Sequence, residues 1–440
     1  MASAERIRHV AELVKNRTNQ KPVLVLSAMG DTTDLLLETA EHAVSGANYS
    51  IKNIEKLHVK TLEELGIAGV QKEIKDLLDE LKKLLSGISL IRELTPKTRD
   101  YLVSFGERLS VRIAAAYLNS IRVKARPYDA WDLGFISNSN YGFAELLNES
   151  WEKIPKKIIP LMEKNEIPVV TGFIAKEPNG TITTLGRGGS DLSAAVIAAA
   201  CKASQVQFWK DVDGILTADP RIVKNPKPVE TITYEAAAEL AYFGAQVLHP
   251  RAMQPCMKTK TPVVVKNSYN PDAAGTRIIP SLGKKKTAIQ AISSKRNVTL
   301  VDIVSTRMLG QYGFLAEVFS CFARYSISVD MVATSEVSLS LTLDAARDLA
   351  ALKKDLSRIA SVEIKTGKAI ITMVGDVSRS SEILARSFRI CELMGVSVQM
   401  ISQGASKLNI SFIINDDEAA NIIRALHEDF FESSGAGGKP

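Results

Sequence analysis

A chain of 440 residues with 45% hydrophobic content can bury more than one core, so two or three domains are expected. Its 55 basic and 49 acidic residues give a formal net charge of +6 spread along the chain, which argues against a dedicated nucleic-acid or membrane surface and fits a metabolic enzyme. Cys201, Cys256, Cys321 and Cys391 stand far apart with no Cys-x-x-Cys pair, so buried reduced thiols are expected rather than a zinc site or disulfide framework, and the scattered histidines supply no transition-metal ligand set. No apolar run approaches the ~20 residues that cross a bilayer.

In chain order, Ser3 is placed to cap a helix with the stripe Ile7, Val10, Leu13 and Val14. No strand precedes that helix, so the chain reads as opening inside a βα unit. Pro22–Ser27 reads as a short buried parallel strand, followed by a loop and a helix from Asp31. Residues 50–94 are polar, Leu-rich and helical, an excursion suited to covering a site. A helix over 105–119, strands near Val123–Arg126 and Pro168–Phe173, and a hairpin around Pro178-Asn-Gly180 come next. After a glycine-rich loop follow a helix over 191–203, a strand at Val206–Trp209, helices over 235–244 and 250–259, and a strand at Pro262–Lys266. This alternation predicts an α/β domain over 1–283, its mostly parallel sheet sandwiched by helices. The Gly/Lys segment Ser281–Thr287 closes it. Beyond, Ile327-Ser-Val-Asp-Met331 recurs as Val396-Ser-Val-Gln-Met400, which predicts two α+β modules of βαββαβ type over 284–366 and 367–435, ahead of a flexible tail at 436–440.

The strongest chemical signal is Thr183-Thr-Leu-Gly-Arg-Gly-Gly-Ser-Asp191, running from a strand into an Ala-rich helix. Its glycines let backbone approach a ligand, and the free amides at the helix start favour a phosphoryl group or carboxylate. An ordinary strand-to-helix turn capped by Ser190 or Asp191 would leave Arg187 between glycines unexplained. Asp191 stands where a Rossmann fingerprint needs its last glycine, and no Walker glycine-lysine loop occurs.

At these residues the chain resembles the amino-acid kinase superfamily, and among its members the aspartate kinases. Val25-Leu-Ser-Ala-Met-Gly30 with Thr32-Thr33, Ser104-Phe-Gly-Glu-Arg-Leu-Ser110, Trp209-Lys-Asp-Val-Asp-Gly-Ile215, Asp219-Pro-Arg221 and Phe243-Gly-Ala-Gln-Val-Leu-His-Pro250 agree with that family in order over nearly the whole chain. Lys210 and Gln246 resemble its plant monofunctional branch, and the repeated modules resemble paired ACT domains. The resemblance implies ATP-dependent phosphorylation of the β-carboxylate of L-aspartate, with Mg²⁺ bridging the nucleotide phosphates. It implies that Arg187 grips the aspartate α-carboxylate, Glu107 receives its ammonium, and Ser27, Thr33 and Ser190 complete the substrate shell. Asp191 would organise catalysis, and Gly188, Gly189, Lys210, Asp211, Asp213 and Arg221 would serve the nucleotide. Taken alone, Glu107 beside Arg108 reads as a solvated helix face.

In the first module the resemblance places lysine, as an inhibitor, on Met308, Gln311, Gly313, Phe314, Leu315, Ser328, Val329, Asp330, Thr334 and Ser335, with Asp330 pairing the effector's ammonium. Phe314, Leu315, Val318, Phe319 and Phe322 also read as the core face of an ACT helix. A homodimer through ACT sheets, S-adenosylmethionine as a co-effector and a chloroplast location are further implications. No Ser- and Arg-rich transit peptide precedes Ser3, which would place this form in the cytoplasm. Members of the family open with a strand reading Lys-Phe-Gly-Gly-Ser-Ser-Val, whose lysine contacts the phosphates; here Met1 leads directly into Ala2-Ser-Ala-Glu5, so that cradle half is expected to be missing. Two functional readings follow: an active lysine-inhibited aspartate kinase, and a catalytically impaired amino-acid-binding form of it. A superfamily kinase for glutamate, acetylglutamate or UMP ranks behind both.

Overall fold

The computed structural model describes residues 2–244, 247–282, 289–308, 312–344, 349–403 and 408–432. Gln246, Gln311, the linker at 283–287 and the tail at 436–440 lie outside the described residues. The chain divides into two compact units, the first comprising Met1–Asp211, Arg251–Val264 and Ser268–Asp272. It opens with α1 (Ala4–Lys15), where the Ser3 side chain accepts the Arg6 N–H and the buried stripe is Ala4, Ile7, Ala11 and Val14; Val10 and Leu13 are only half-buried. Then follow β1 (Leu24–Leu26), α2 (Thr32–Ser45), α3 (Lys52–Leu65), α4 (Gln71–Ile91), α5 (Pro96–Ser120), β2 (Ala125–Tyr128), α6 (Asn148–Glu163) and β3 (Ile167–Thr171). The hairpin β4 (Ile174–Lys176) and β5 (Ile182–Thr184) leads through the glycine-rich loop into α7 (Gly189–Ala200) and β6 (Val206–Lys210). β7 (Thr231–Thr233) and α8 (Tyr234–Tyr242) belong to the second unit, and α9 (Pro250–Thr259) returns to the first.

β1, β3 and β2 form a parallel sheet in that order, with Leu26 opposite Thr171 and Tyr128 opposite Val170. Successive side chains point to opposite faces, so both faces must be covered. On one, Leu26 and Val169 pack with Ala11 and Val14 of α1 and Val111 and Leu118 of α5. On the other, Val170 packs with Ile154 and Ile158 of α6 and Val196 and Ile197 of α7. The helical excursion buries Ile54, Leu62, Ile74, Leu81 and Leu85 against Leu36 of α2 and Leu102, Phe105 and Leu109 of α5. That cluster fixes α5, which carries Glu107. Cys256, Cys321 and Cys391 are buried and Cys201 half-buried, all free thiols whose ionisation burial disfavours.

The second unit comprises Val212–Pro250, Val265–Asn267 and Ala273–Pro440. After β8 (Val263–Asn267), divided between the units, come β9 (Thr276–Ile279), parallel to β7, and β10 (Ile289–Val304). α10 (Phe314–Arg324), β11 (Val329–Thr334), β12 (Ser338–Leu343), α11 (Leu349–Leu356) and β13 (Ser361–Gly375) follow. α12 (Ser380–Leu393), β14 (Met400–Gln403), β15 (Asn409–Asn415) and α13 (Asp416–His427) come next, and a π-helical turn at Glu428–Glu432 ends the described elements. One six-stranded sheet runs in the order β11-β12-β10-β13-β15-β14. The modules are therefore interleaved. The second half of β10 pairs with the first half of β13, while Ile289–Lys295 of β10 pairs with the end of β13, from Gly375 back to Ile370, and completes the sheet of the second module. The repeated segments also differ: Val329–Thr334 is a full strand, whereas of Val396-Ser-Val-Gln-Met400 only Met400 is.

Truncating Leu81, wholly buried between α4 and its neighbours, to alanine is expected to lower the stability of the first unit by about 2–5 kcal/mol. All three tryptophans, Trp131, Trp151 and Trp209, lie in that unit, so the urea midpoint followed by tryptophan fluorescence measures it.

Candidate active site

In an open parallel sheet with helices on both faces, ligands collect beyond the carboxyl ends of the strands. β1 ends at Leu26, whose carbonyl accepts the Gly172 N–H just past β3 at 2.8 Å. Ser27 follows, exposed, and Thr33 lies half-buried in the first turn of α2. α5 passes so close that a Cβ on Gly106 would stand 2.6 Å from the Cβ of Ala28. This approach lets Glu107 Oε1 accept the Ala28 N–H at 3.2 Å. Glu107 is 3% exposed, so the solvated-face reading is corrected: its side of α5 packs beneath the β1–α2 turn. Its Oε2 has no hydrogen-bond partner among the described residues. Burial pushes the carboxyl up to about 8, outweighing the Ala28 N–H.

The glycine-rich loop forms the opposite wall. Gly186 and Gly188 adopt φ of 76° and 69°, and the Gly189 N–H returns to the Gly186 carbonyl at 2.9 Å. α7 then starts at Gly189 with no side-chain cap, so the amides that follow Gly189 in its first turn stay available to an anion. Gly172 lies directly against this start, because a Cβ there would meet the Cβ of Ser190 at 2.6 Å. Phe173 donates its N–H to Ser193 Oγ at 3.1 Å and accepts the Leu185 N–H at 2.8 Å, which pins both ends of the loop to the end of β3.

Two further struts hold the loop. Asp100 of α5, buried, accepts the Thr184 N–H and hydroxyl, both at 2.8 Å, and the Gly142 N–H at 2.9 Å. Arg251 of α9 donates to the Leu185 carbonyl and, at 2.9 Å, to that of Ala144. Arg187 is left exposed at the loop tip. Neither Asp100 nor Arg251 stands out in the sequence: Asp100 falls ahead of the helix expected over 105–119, whereas α5 starts at Pro96, and a lone arginine reads as solvated.

Asp191, in the first turn of α7, receives Lys210 Nζ on both carboxylate oxygens, at 3.0 and 2.9 Å. The Lys210 carbonyl accepts the Ser268 N–H at 2.8 Å and its hydroxyl at 2.9 Å, which fixes the end of β6. Ser27, Thr33, Glu107, Gly188, Gly189, Ser190, Asp191 and Lys210 thus lie in one unit, Glu107 in the middle of α5 and the others at strand ends and helix starts. Asp211 follows Lys210 there, exposed. Asp213 and Arg221 belong to the second unit. There Asp213 accepts from Asn267 Nδ2 at 2.9 Å, and Arg221 Nη2 lies 2.7 Å from Asp219, a contact that holds the Asp219 carboxyl below the usual range. Among the described residues no group of three or more acids, histidines or cysteines is placed to hold a metal.

In the second unit, Met308, Phe314 and Val329 share one apolar cluster with Val318, Cys321 and Phe322. Leu315 and Phe319 are exposed, which corrects the expected core face: the buried stripe is 314, 318, 321 and 322, and 315 with 319 forms a second stripe one residue on, turned to solvent. Gly313 precedes α10 with φ 91° and open space about it. Ser328, Thr334 and Ser335 are exposed, Ser335 Oγ lying 2.6 Å from Ser338 Oγ. Asp330 is half-buried as a residue but its side chain is enclosed, and it accepts Lys295 Nζ and the Tyr242 hydroxyl, each at 2.7 Å.

The parallel sheet with a glycine-rich loop feeding α7 agrees with the amino acid kinase family, which residues 1–267 match, while 301–354 and 371–430 match an ACT domain. Aspartokinase 1, chloroplastic, of Arabidopsis thaliana is 50% identical over 450 aligned residues, covering 98% of this chain and 79% of the relative. Lysine-sensitive aspartokinase 3 of Escherichia coli is 34% identical, over 98% and 97%. The chain belongs to the aspartokinase family. The crystal structure of E. coli aspartokinase III with aspartate and ADP superimposes at a TM-score of 0.83 with 33% identity, and that with lysine and aspartate at 0.81 and 33%, both covering 98% of this chain and 97% of the neighbour.

Glu107 makes stability depend on pH in a defined direction. With its carboxyl raised from 4.5 to about 8, the folded protein keeps a proton across that window that the unfolded chain has lost, so this group costs stability as pH rises through it. Glu107→Gln, which cannot ionise, is expected to gain thermal stability relative to the wild type from about pH 5 to about pH 8, measured as Tm in a series of buffers. Parallel Tm profiles would refute the protonated carboxyl.

Proposed function

We propose that this protein is an aspartate kinase that transfers the γ-phosphoryl group of ATP to the β-carboxylate of L-aspartate, yielding 4-phospho-L-aspartate and ADP. The observation that carries the reading is the buried, half-satisfied Glu107 carboxyl beneath the β1–α2 turn, on the sheet edge that also carries the uncapped start of α7. Burial makes this carboxylate costly unless a cation meets Oε2, and the aspartate ammonium is such a cation. Arg187 takes the α-carboxylate as a bidentate pair, and Ser27, Thr33 and Ser190 complete the pocket. The neighbour bound to aspartate and ADP supports this substrate pair.

One β-carboxylate oxygen of aspartate attacks the γ-phosphorus. The bond from that phosphorus to the β,γ-bridging oxygen breaks, and ADP leaves with the electron pair; no proton moves, so no general base is needed. Gly188 and Gly189 let the loop backbone come close to the phosphates, which the α7 dipole favours. Lys210, Asp211, Asp213 and Arg221 serve the nucleotide, and Lys210 holds Asp191 in one orientation at the reacting end. Mg²⁺ enters as the MgATP substrate, neutralising charge on the phosphates.

Lysine inhibits through the ACT region, on Met308, Gln311, Gly313, Phe314, Leu315, Ser328, Val329, Asp330, Thr334 and Ser335. The lysine-bound neighbour and the relative named lysine-sensitive support this. The exposed Leu315, Phe319, Val332 and Val337 suit an ACT-to-ACT homodimer. S-adenosylmethionine is proposed as a co-effector, and a chloroplast location follows the plant relatives' names. The catalytic domain is taken as 1–283 and the ACT domains as 284–366 and 367–435.

Acyl phosphate trapped with hydroxylamine tests the reading, assayed for this chain and for one fronted by Lys-Phe-Gly-Gly-Ser-Ser-Val. If neither turns over, the kinase reading fails and amino-acid binding alone takes its place. In the active form, Arg187→Ala is expected to raise the aspartate KM about 10- to 100-fold, the worth of hydrogen bonds to a charged group, with the ATP KM little changed. Aspartate binding near pH 7 should release up to about one proton as Glu107 ionises, read by calorimetry in buffers of different ionisation enthalpy, and Glu107→Gln should release none.

A further inference from the structure

The acid proposed to receive the effector's ammonium already holds one. Asp330 Oδ2 lies 2.7 Å from Lys295 Nζ, and Oδ1 accepts the Tyr242 hydroxyl at 2.7 Å. The Asp330 side chain is 2% exposed. Each oxygen holds a donor and the side chain is enclosed, so an ammonium from outside reaches it only as a partner withdraws. Burial works against the Lys295 charge, yet Asp330 and Asp344 together hold its pKa above the usual value, so it is a full cation. The Tyr242 hydroxyl is likewise kept protonated, by burial and by Asp330.

Of the two partners, Lys295 is the one built to leave. Its Nζ also lies 2.8 Å from Oδ1 of Asp344, a carboxylate 72% exposed at the end of β12. Pivoting its flexible stem onto Asp344 keeps a counterion while it vacates Asp330. Tyr242 has no such second carboxylate, and its ring sits edge-on to Phe243.

We infer that Lys295 is a tethered occupant of the effector site: its ε-ammonium fills the place on Asp330 that the ammonium of a cationic amino acid takes, and the effector binds only as Lys295 retires to Asp344. This rests on the reading of Asp330 as the effector's acid. Lys295 then sets the effector concentration needed, because an acceptor open only a fraction of the time lowers apparent affinity by that fraction. A neutral amino acid side chain gains nothing from the exchange, so the displaced lysine also selects for charge.

Titration calorimetry with L-lysine on the full chain tests this without recourse to turnover. Lys295→Met leaves Asp330 open, and Kd for lysine is expected to fall by about tenfold or more. Lysine should also raise the Tm of that variant more than that of the wild type, since it replaces the missing partner of a buried carboxylate. Asp344→Asn, at an exposed position, removes the retreat and is expected to raise Kd; it carries the test if Lys295→Met does not fold. If the wild type binds lysine and Lys295→Met binds it no tighter, or Asp344→Asn no weaker, the tethered occupant is refuted and the effector site stands. If none of the three binds lysine, the effector reading itself falls, and this inference with it.

Discussion

Gly172 lies against Ser190 only because it has no Cβ; one built there would stand 2.6 Å from the Ser190 Cβ and 2.8 Å from its Cα. Real Cβ atoms do not come so near, so any side chain at 172 forces the start of α7 away from the end of β3. Gly106 sets the same limit on the other wall, where α5 meets Ala28. Everything proposed for the site depends on these two approaches. They place the α7 amides and the Glu107 carboxyl at the same sheet edge, on elements held by large apolar clusters rather than on free loops.

Charge within that frame is distributed by how well each group is satisfied. Asp191 and Lys210 satisfy one another and stay partly solvated. Asp100 is deeply buried but meets three donors, so burial raises its carboxyl against the pull of Gly142 and Thr184. Glu107 has one donor for two oxygens. A buried carboxyl in this condition is held neutral by its surroundings, and a cation brought to it changes its protonation as well as its partner. Asp100 is a strut and Glu107 an open acceptor for this physical reason, although both come from the same face-to-core helix.

Much of this was legible in the sequence where a local signal coincided with a local cause. The glycine-rich run marks a turn whose left-handed residues only glycine adopts easily, and α9 was placed at its observed bounds. No helix is expected from the sequence over α6, which contains the helix-disfavouring Pro155 and Pro160, yet Ile154 and Ile158 are buried on one of its faces. β2 came two residues late, since its position is fixed by pairing with β3 rather than by its own residues. The struts Asp100 and Arg251 join segments 84 and 66 residues apart, and no spacing in the chain announces such contacts. The burial of Glu107 likewise depends on the close approach of Ala28, 79 residues away, to the adjacent Gly106, and only the family resemblance singled it out.

The interleaving of the two ACT modules gives the Lys295 position its reach. β10 departs from regular register between Lys295 and Val298, and Asn297 there adopts φ 56°. Such a bulge re-aims consecutive side chains. Lys295 turns to Asp330 on β11, in the first module, while Arg296 grips Asp416 at the start of α13, in the second, with its Nε at 2.7 Å and the Asn297 N–H on the same carboxylate at 2.9 Å. Asp330 is joined through the Tyr242 hydroxyl to the end of α8, which precedes both modules in the chain. A cation exchanged at Asp330 therefore acts on one bulge to which both modules are tied and on the hydrogen bond that holds the end of α8. A two-state element biased at such a junction needs only ~1–3 kcal/mol of differential binding to be felt at a second site. An ion pair that can transfer from a buried acid to an exposed one is a discrete pair of arrangements of this kind.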